Sequence, residues 1–526
     1  MKRRFKMSFS QRFFFQPKNF LDRVFRRRDR GGILVLAAGL STLIYRYIFY
    51  PPVLPDEIVR FYHLHRYNYW DLSHLGALDI RVHDPYLFLA GVKLLTSFLP
   101  QHEYALRLLP FLCAVFSLLA FGKVKDRFLG PVAANVAFGL LAVCPTFIYY
   151  SCRLMPYCAD ILMTIIWLYV FQRWAVAKAW SSKGLVFCGV AGMLTVWFSL
   201  PAVFVLSGGG LALMLEAALQ RRFQQSRRMM AVWSLWLVGF GVYYFHAIRY
   251  FTNKDFLREV WQEHLVPRAA SLGEVIGWLT GHVYRLFENP AHVNPLLGGA
   301  LLISGALIML RRQRAQALIL LMPLVMTILA ALWGKYPLHG RVLSFLLPIL
   351  FIVIAYGWEK LFYVKKNWME SMLRWLIILL LFWPPVQKTW QEIHKSYERY
   401  GLLPVMEHIG EHLQPGDGMY VLYQGHWQFN FFRSRFRFDP KIVVQGTCSD
   451  SFAQCVDDFK MLRPFRRVWF ILFPHESPDR SSLRYVPFIA EKVGKEVGRK
   501  RSGRCYAYLY ELDAEKMQQI TVDFMP

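Results

Sequence analysis

The sequence predicts a polytopic α-helical membrane protein with a small α/β domain outside the membrane at its C-terminal end. Three observations predict it. Of the 526 residues, 55% are hydrophobic and 17% aromatic, and the mean hydropathy is +0.27, too apolar for an ordinary soluble chain of this size. Eleven apolar runs, each long enough to cross a bilayer once its ends are shielded, lie between residues 33 and 390. Beyond about His394 these runs stop, and short strand-like and helical stretches alternate, the pattern of an α/β fold.

Taken in order, residues 1–30 are basic and aromatic and contain no small-residue cleavage site. They read as a retained cytoplasmic arm on anionic lipid, not as a secretory signal. The expected spans are 33–50, 108–123, 132–150, 158–174, 185–199, 201–219, 232–250, 295–310, 317–333, 342–358 and 373–390. Basic clusters at 26–30, 123–127, 173–183, 221–228, 311–314 and 360–374 mark every second connection. If these are cytoplasmic, an odd number of crossings leaves the C-terminus outside. The net charge of +27 is concentrated in the N-terminal tail and in short segments between apolar runs, which argues for anchoring by positive charge and against nucleic-acid binding.

Residues 31–393 form the expected transmembrane domain. Its first outer loop, 51–107, contains a short apolar run at 86–99 that carries Lys93. As a crossing this run would invert the charge alternation downstream, so it is expected to be an interfacial or re-entrant helix, with a short true span as the runner-up. A second large outer loop, 251–294, holds Trp261, His264, Arg268, His282, Arg285 and Glu288 and is long enough to act as a lid. The C-terminal domain, 394–526, is expected to have strands near 418–424, 441–445, 467–473 and 505–512 and helices near 452–462 and 483–492. It has no GxGxxG, Walker or nucleophile-elbow pattern, so its expected role is to stabilise or cover the outer face. The eight cysteines show no metal-binding spacing. Cys113, Cys144 and Cys188 read as packing residues; Cys448, Cys455 and Cys505 permit one disulfide, Cys448 with Cys455, in an oxidising compartment.

The chemistry is expected at PPVLPDEIVR, residues 51–60, which sets Asp56 and Glu57 just after the first span. A carboxylate at the outer mouth of a membrane domain can take a proton from an incoming nucleophile; the same pair also fits solvated loop acids or helix-start residues. The topology brings His63, His65, His83, Asp84, Arg107, Arg153, Asp160, His246, Arg249, Lys335, His339 and Arg341 to the same face. Ionisable groups near spans are costly unless paired or solvated. Arg107 and Arg341 start spans and also fit snorkelling anchors. Asp160, about one turn into an apolar span, is harder to explain that way. Arginine forks beside a carboxylate suit a phosphate-headed lipid and an acceptor that must lose a proton.

The order of motifs resembles the GT-C membrane glycosyltransferases, particularly bacterial relatives of the protein O-mannosyltransferases and of the aminoarabinose transferases that modify lipid A. The motifs are Asp56-Glu57 after the first span, HDPYLFLAGVKLL from His83, EYALRLLP from Glu103, FIYYSCRLMPYCADI from Phe147, YPLHGRVLSFLLP from Tyr336, and QPGDGMYVLY and RVWFILF in the tail. The resemblance implies inverting transfer of a sugar from a polyprenyl-phosphate donor, at the outer face of the bacterial inner membrane, to a protein, lipid or polysaccharide acceptor. By motif position Asp56 matches the catalytic base and Glu57 its neighbour. Arg107 and Arg341, with His339 and Lys335, match the lipid-phosphate contacts, and His83, Asp84, Arg153 and Asp160 the donor and acceptor site. Asp84 stands where the family carries the first proline of HPP, a departure that bears on loop geometry and acceptor choice. No cofactor or metal is required by this picture, although some relatives bridge outer-loop carboxylates with a divalent cation, here Asp56 with Asp160. Other readings are a transferase moving a different group, a transporter or flippase for lipid-linked saccharide, and a non-catalytic scaffold. Against transport, no internal repeat is detected and the charges collect at one face.

Overall fold

The computed structural model describes residues 30–49, 55–74, 84–99, 103–177, 181–252, 261–267, 271–361, 368–394, 401–436, 438–448, 451–473, 481–503 and 505–520. The 1–30 arm, apart from Arg30, and the His83 and Arg268 positions lie outside the described residues. The chain divides into two compact units, Met1–Tyr50 with Leu64–His394, and Pro51–His63 with Lys395–Pro526.

The helices before the second unit's sheet begin with α1 (Arg30–Ile48), α2 (Pro55–Arg66, assigned to the second unit through His63), α3 (Tyr69–Ser73), α4 (Tyr86–Phe98), α5 (Glu103–Val124), α6 (Pro131–Ala142), α7 (Pro145–Ser151) and α8 (Tyr157–Val176). They continue with α9 (Ser182–Phe198), α10 (Ala202–Leu219), α11 (Phe223–Tyr243), α12 (Arg249–Thr252), α13 (Leu272–Glu288), α14 (Pro295–Arg312), α15 (Arg314–Leu332), α16 (Leu347–Leu361) and α17 (Trp368–His394). Among the described residues, nine helical segments are long and apolar enough to cross a membrane, and α6 with α7, bent by 52°, forms a broken span or a re-entrant loop. The bend falls at Cys144–Pro145, where a proline cannot continue the ladder of the preceding turn. The eleventh expected crossing is α9, with 17 residues.

Polarity sorts these helices radially. The segment Gly340–Leu361 is 89% buried along its span window, whereas Trp368–His394 is only 17% buried and turns Trp375, Trp383 and Trp390 outward, as suits a central and a lipid-facing helix respectively. Close packing at the centre depends on two glycines. A Cβ on Gly357 of α16 would sit 2.1 Å from the Leu301 carbonyl oxygen of α14, and one on Gly305 would sit 2.3 Å from the Val353 oxygen. Only hydrogen at both positions lets the two backbones approach this far.

The run expected as an interfacial or re-entrant helix is α4, a 13-residue helix. Its awkward lysine is accommodated: Lys93 Nζ donates to the Leu64 carbonyl and lies 5.7 Å from the centre of the Tyr69 ring.

The second unit is a five-stranded sheet with helices on both faces. After α18 (Leu402–His412) come β1 (Asp417–Val421), α19 (His426–Phe436), β2 (Val443–Gln445), α20 (Phe452–Lys460), β3 (Arg467–Leu472), α21 (Ser481–Val493), β4 (Gly494–Ser502), β5 (Cys505–Leu512) and α22 (Ala514–Gln518). The strand order is β2-β1-β3-β5-β4, parallel across β2, β1 and β3 and antiparallel at β5 and β4. Strand alternation divides the core in two. Tyr420, Phe470 and Tyr510 face α20 and α21, while Met419, Trp469 and Leu509 face α18 and α19.

One assignment from chain position changes here. The first outer loop was expected to belong wholly to the transmembrane domain, but its start, through His63, belongs to the C-terminal unit. The reason is packing: Ile58, fully buried, joins Leu402, Val405, Met406 and Ile409 in the second core, and Phe61 meets Phe431 edge to face at 4.8 Å.

Candidate active site

The first unit gathers its polar groups around the turn between α7 and α8. Pro145 starts α7, and Pro156, as the cap before α8, leaves a short non-helical link of Cys152 to Pro156. Arg153 sits in this link, 1% exposed, with its guanidinium 4.6 Å from the Tyr149 ring centre. Arg107, 4% exposed, lies just over one turn into α5, and Arg46, 2% exposed, in the last turn of α1. All three act electrostatically on the buried Cys152 side chain, so they form one cationic cluster. Arg46 is further held by α17, its Nη1 donating to the Glu392 carbonyl at 3.3 Å.

A run of tyrosines connects this cluster to Arg341. Tyr149 meets Tyr150 at 4.9 Å and Tyr150 meets Tyr157 at 4.5 Å between ring centres, and Tyr150 hydrogen-bonds Arg341. Arg341 also lies over Trp261, 5.8 Å from the ring centre. Beside it His339 stacks at 4.1 Å on His264, which in turn is 5.9 Å from His282. Burial, followed by the neighbouring His264 and Arg341 charges, pushes His339 down to about 4. His264 is lowered as well, by burial first and then by His282. His339 and His264 are therefore neutral near pH 7 and hold the region polar without adding charge.

The carboxylates lie on the other side of the turn. Asp160, in the first turn of α8, is 4% exposed. It lies beside the Ser199 hydroxyl and within electrostatic reach of Asp84, and its Oδ1 is buried without a hydrogen-bond partner among the described residues. Tyr336 faces Asp160 and Tyr157 and donates to the Val342 carbonyl at 2.7 Å; burial, with Asp160 behind it, raises its phenol well above the usual value. Asp84 precedes α4, whose Tyr86 N–H donates to the Tyr243 hydroxyl at 2.9 Å.

Of the residues singled out from sequence, the membrane unit brings Arg107, Arg153, Asp160, Asp84, Arg341 and His339 to one end of the bundle. Lys335 is at that end but exposed, and His83 is outside the described residues. Asp56 and Glu57 lie on α2 in the C-terminal unit, Asp56 exposed and Glu57 1% exposed. The Arg60 guanidinium donates to the Asp56 backbone carbonyl at 2.8 Å. Asp56 and Asp160 thus belong to different units. Sequence reasoning missed Arg46, Tyr150 and Tyr157. Arg46 gave no signal beyond a cation at a span end, whereas the tyrosines stand inside the FIYYSCRLMPYCADI motif. Among the described residues one trio of metal-ligating side chains converges, His408, Glu411 and His412 in the C-terminal unit. At the opposite end of the bundle the groups are tied in pairs: Arg127 Nη1 donates to Gln172 at 2.9 Å and Arg314 to Glu216 at 3.1 Å.

A polytopic helical bundle with a C-terminal α/β unit and an arginine-lined end defines the class, and its fold is shared with solved membrane proteins. One solved structure of similar fold is ArnT from Cupriavidus metallidurans bound to undecaprenyl phosphate, with a TM-score of 0.51 at 14% identity over 91% of this chain and 97% of that one. ArnT in the apo state gives 0.49 at 12% identity, over 92% of this chain and 98% of that one. The archaeal oligosaccharyltransferase AglB from Archaeoglobus fulgidus, in complex with an inhibitory peptide and a dolichol-phosphate, gives 0.48 at 12% identity, over 91% and 74%. No family model matches the chain, and no curated protein sequence does.

Proposed function

We propose that the chain is an inverting glycosyltransferase that takes a sugar from a polyprenyl-phosphate carrier and transfers it to a hydroxyl acceptor at the outer face of a bacterial inner membrane. The observation that carries this reading is the convergence of Arg46, Arg107, Arg153 and Arg341 on one turn at the end of an apolar bundle. Guanidinium forks match the oxygens of a phosphate, and a phosphate-headed lipid is the ligand whose head they can hold and whose tail fits between spans. The fold shared with a protein solved with undecaprenyl phosphate supports the same ligand class.

In this reading Arg107 and Arg341, with His339 and Lys335 near them, hold the lipid phosphate. Asp56 removes the proton of the acceptor hydroxyl, with Glu57 as its neighbour. The acceptor oxygen forms a bond to the anomeric carbon from the side opposite the phosphate, and the bond from that carbon to the phosphate oxygen breaks. The carrier leaves as a polyprenyl phosphate whose developing charge the arginines stabilise. His83, Asp84, Arg153 and Asp160 line the donor and acceptor positions. Guanidinium groups supply the electrophilic charge, so no step needs a metal or cofactor. The basic connections support an N-terminus in the cytoplasm, and the Cys448–Cys455 disulfide fits a C-terminal unit in an oxidising compartment.

The test is release of polyprenyl phosphate by the purified chain in lipid, offered a panel of polyprenyl-phosphate sugars with cell-envelope extract as acceptor. Release that falls about a hundredfold or more in Asp56→Asn supports the reading and identifies the sugar. Donor binding without release, unchanged by Asp56→Asn, overturns it in favour of transport or scaffolding.

A further inference from the structure

The second unit carries a constellation that the transfer reaction does not use. On α18, His408, Glu411 and His412 each present one ligand atom, and the three atoms lie within 4.8 Å of one another. The spacing of three and four residues stacks them on one helix face. The two imidazoles are 4.1 Å apart between ring centres. His412 Nδ1 is 2.9 Å from the His408 carbonyl, a carbonyl that can only accept, so Nδ1 carries the proton and Nε2 keeps its lone pair. An imidazole oriented by a hydrogen bond from its second nitrogen to a carbonyl is how proteins prepare a histidine for a metal ion. His408 is fixed differently, its ring packed edge to face on Trp469 at 5.9 Å.

We propose that His408, Glu411 and His412 form a site for a late first-row divalent cation, with zinc the natural occupant. Two imidazoles and one carboxylate are the borderline donors that zinc, copper and nickel accept, while calcium and magnesium prefer oxygen alone. Three protein ligands leave a fourth tetrahedral position open to water or to an external donor. Metal bonds of about 2 Å need ligand atoms closer together than 4.8 Å; Glu411 is exposed and can rotate to close the set. Lys500 of β4 adds positive charge beside His408, so the carboxylate is needed to make the site hold a cation. This site is independent of the proposed transfer chemistry.

The full chain, purified without a polyhistidine tag and stripped with chelator, is reloaded with zinc and its metal content compared with that of His412→Gln, His408→Ala and the double variant. The site predicts that wild type retains one zinc per chain more than the double variant, that His412→Gln weakens binding tenfold or more, and that cobalt in wild type gives the strong visible bands of a four-coordinate ion that the variants lack. Because His412 is exposed, His412→Gln leaves the metal-free thermal transition unchanged. Equal zinc content and equal cobalt spectra in wild type and double variant would show that any bound metal lies elsewhere, among the His264, His282 and His339 rings for instance, and would overturn the site. Failure of wild type to take up zinc overturns it too.

Discussion

Arg341 is held on two sides at once: its guanidinium carbon is 5.8 Å from the centre of the Trp261 ring, and it hydrogen-bonds the Tyr150 hydroxyl. A planar fork lying over an indole and anchored by a phenol has a fixed direction, which a flexible ammonium cannot reproduce. Arg341→Lys keeps the charge but loses the fork. Charge-assisted hydrogen bonds contribute roughly 1.5–3 kcal/mol, so on the proposed function the binding of a polyprenyl phosphate, measured on the protein in nanodiscs, weakens about tenfold in Arg341→Lys and up to about a hundredfold in Arg341→Ala. Trp261→Ala costs about two- to fivefold, the scale of an exposed cation–π contact. Wild-type affinity in Arg341→Ala would remove this residue from the phosphate site.

The α14–α16 crossing makes a stability prediction independent of function. Gly357→Ala places a methyl 2.1 Å from the Leu301 carbonyl oxygen, and backbone cannot yield as a side-chain tip can. Overpacking of this kind typically costs about 1–3 kcal/mol. The thermal transition of the detergent-solubilised chain falls by several degrees, and Gly305→Ala behaves alike. The control is Gly277→Ala on α13, where a Cβ meets nothing within 4 Å; replacing glycine by alanine there leaves the transition unchanged or raises it.

What the sequence made legible was local. Span length and apolarity need no knowledge of partners, so all eleven expected crossings correspond to helices of the bundle, and the loop charges matched the end where Arg127 and Arg314 find their partners. What it hid depends on contacts far along the chain. Arg46 drew no reading from the sequence, and its contact with α17 lies 346 residues away. Asp56 and Glu57 read as part of the membrane domain because they follow α1; only the packing of Ile58 against α18 reveals their other allegiance. Strand β4 went unread because GKEVGRKRS carries the lysines and arginines that guard a sheet edge and so lacks the apolar alternation of its neighbour β5.

Histidines outside the spans set a pH dependence, His292, His339 and His264 among them. His292 is lowered to about 4, by burial first and then by the Lys388 charge. It lies 2.9 Å from Thr146 Oγ1, and Lys388 Nζ is 3.2 Å from its Nδ1. His339 and His264 are lowered as well. A histidine whose folded value lies below its unfolded value of about 6.5 binds its proton more readily when unfolded. Its contribution is therefore complete above about pH 6.5 and is lost as pH falls toward 4. The melting temperature is expected to be flat above pH 7 and to drop steeply below 6. His292 has φ 53°, which asparagine adopts readily, so His292→Asn keeps the backbone while removing one proton site. That variant should show a shallower acid limb; an unchanged limb would mean that His292 does not take up a proton on unfolding in this window.

Cys448 and Cys455, joined by a disulfide, tie the loop after β2 to α20 around a buried carboxylate. Asp458, fully buried, accepts from the Tyr420 hydroxyl at 2.8 Å, from the Thr447 and Cys448 amides and from the Thr447 hydroxyl. The cross-link keeps that loop in place to satisfy the carboxylate. Closing so short a loop contributes about 2–3 kcal/mol by restricting the unfolded chain, so Cys455→Ser lowers the stability of the C-terminal unit by about that amount, with a larger loss where Asp458 is also disturbed. The bond also reports topology, since it persists only in an oxidising compartment. Cells quenched with acid, denatured and treated with a maleimide-polymer without reductant should show the six remaining cysteines modified and Cys448 and Cys455 protected. Modification of all eight would place this unit in a reducing compartment and reverse the orientation proposed for the whole bundle.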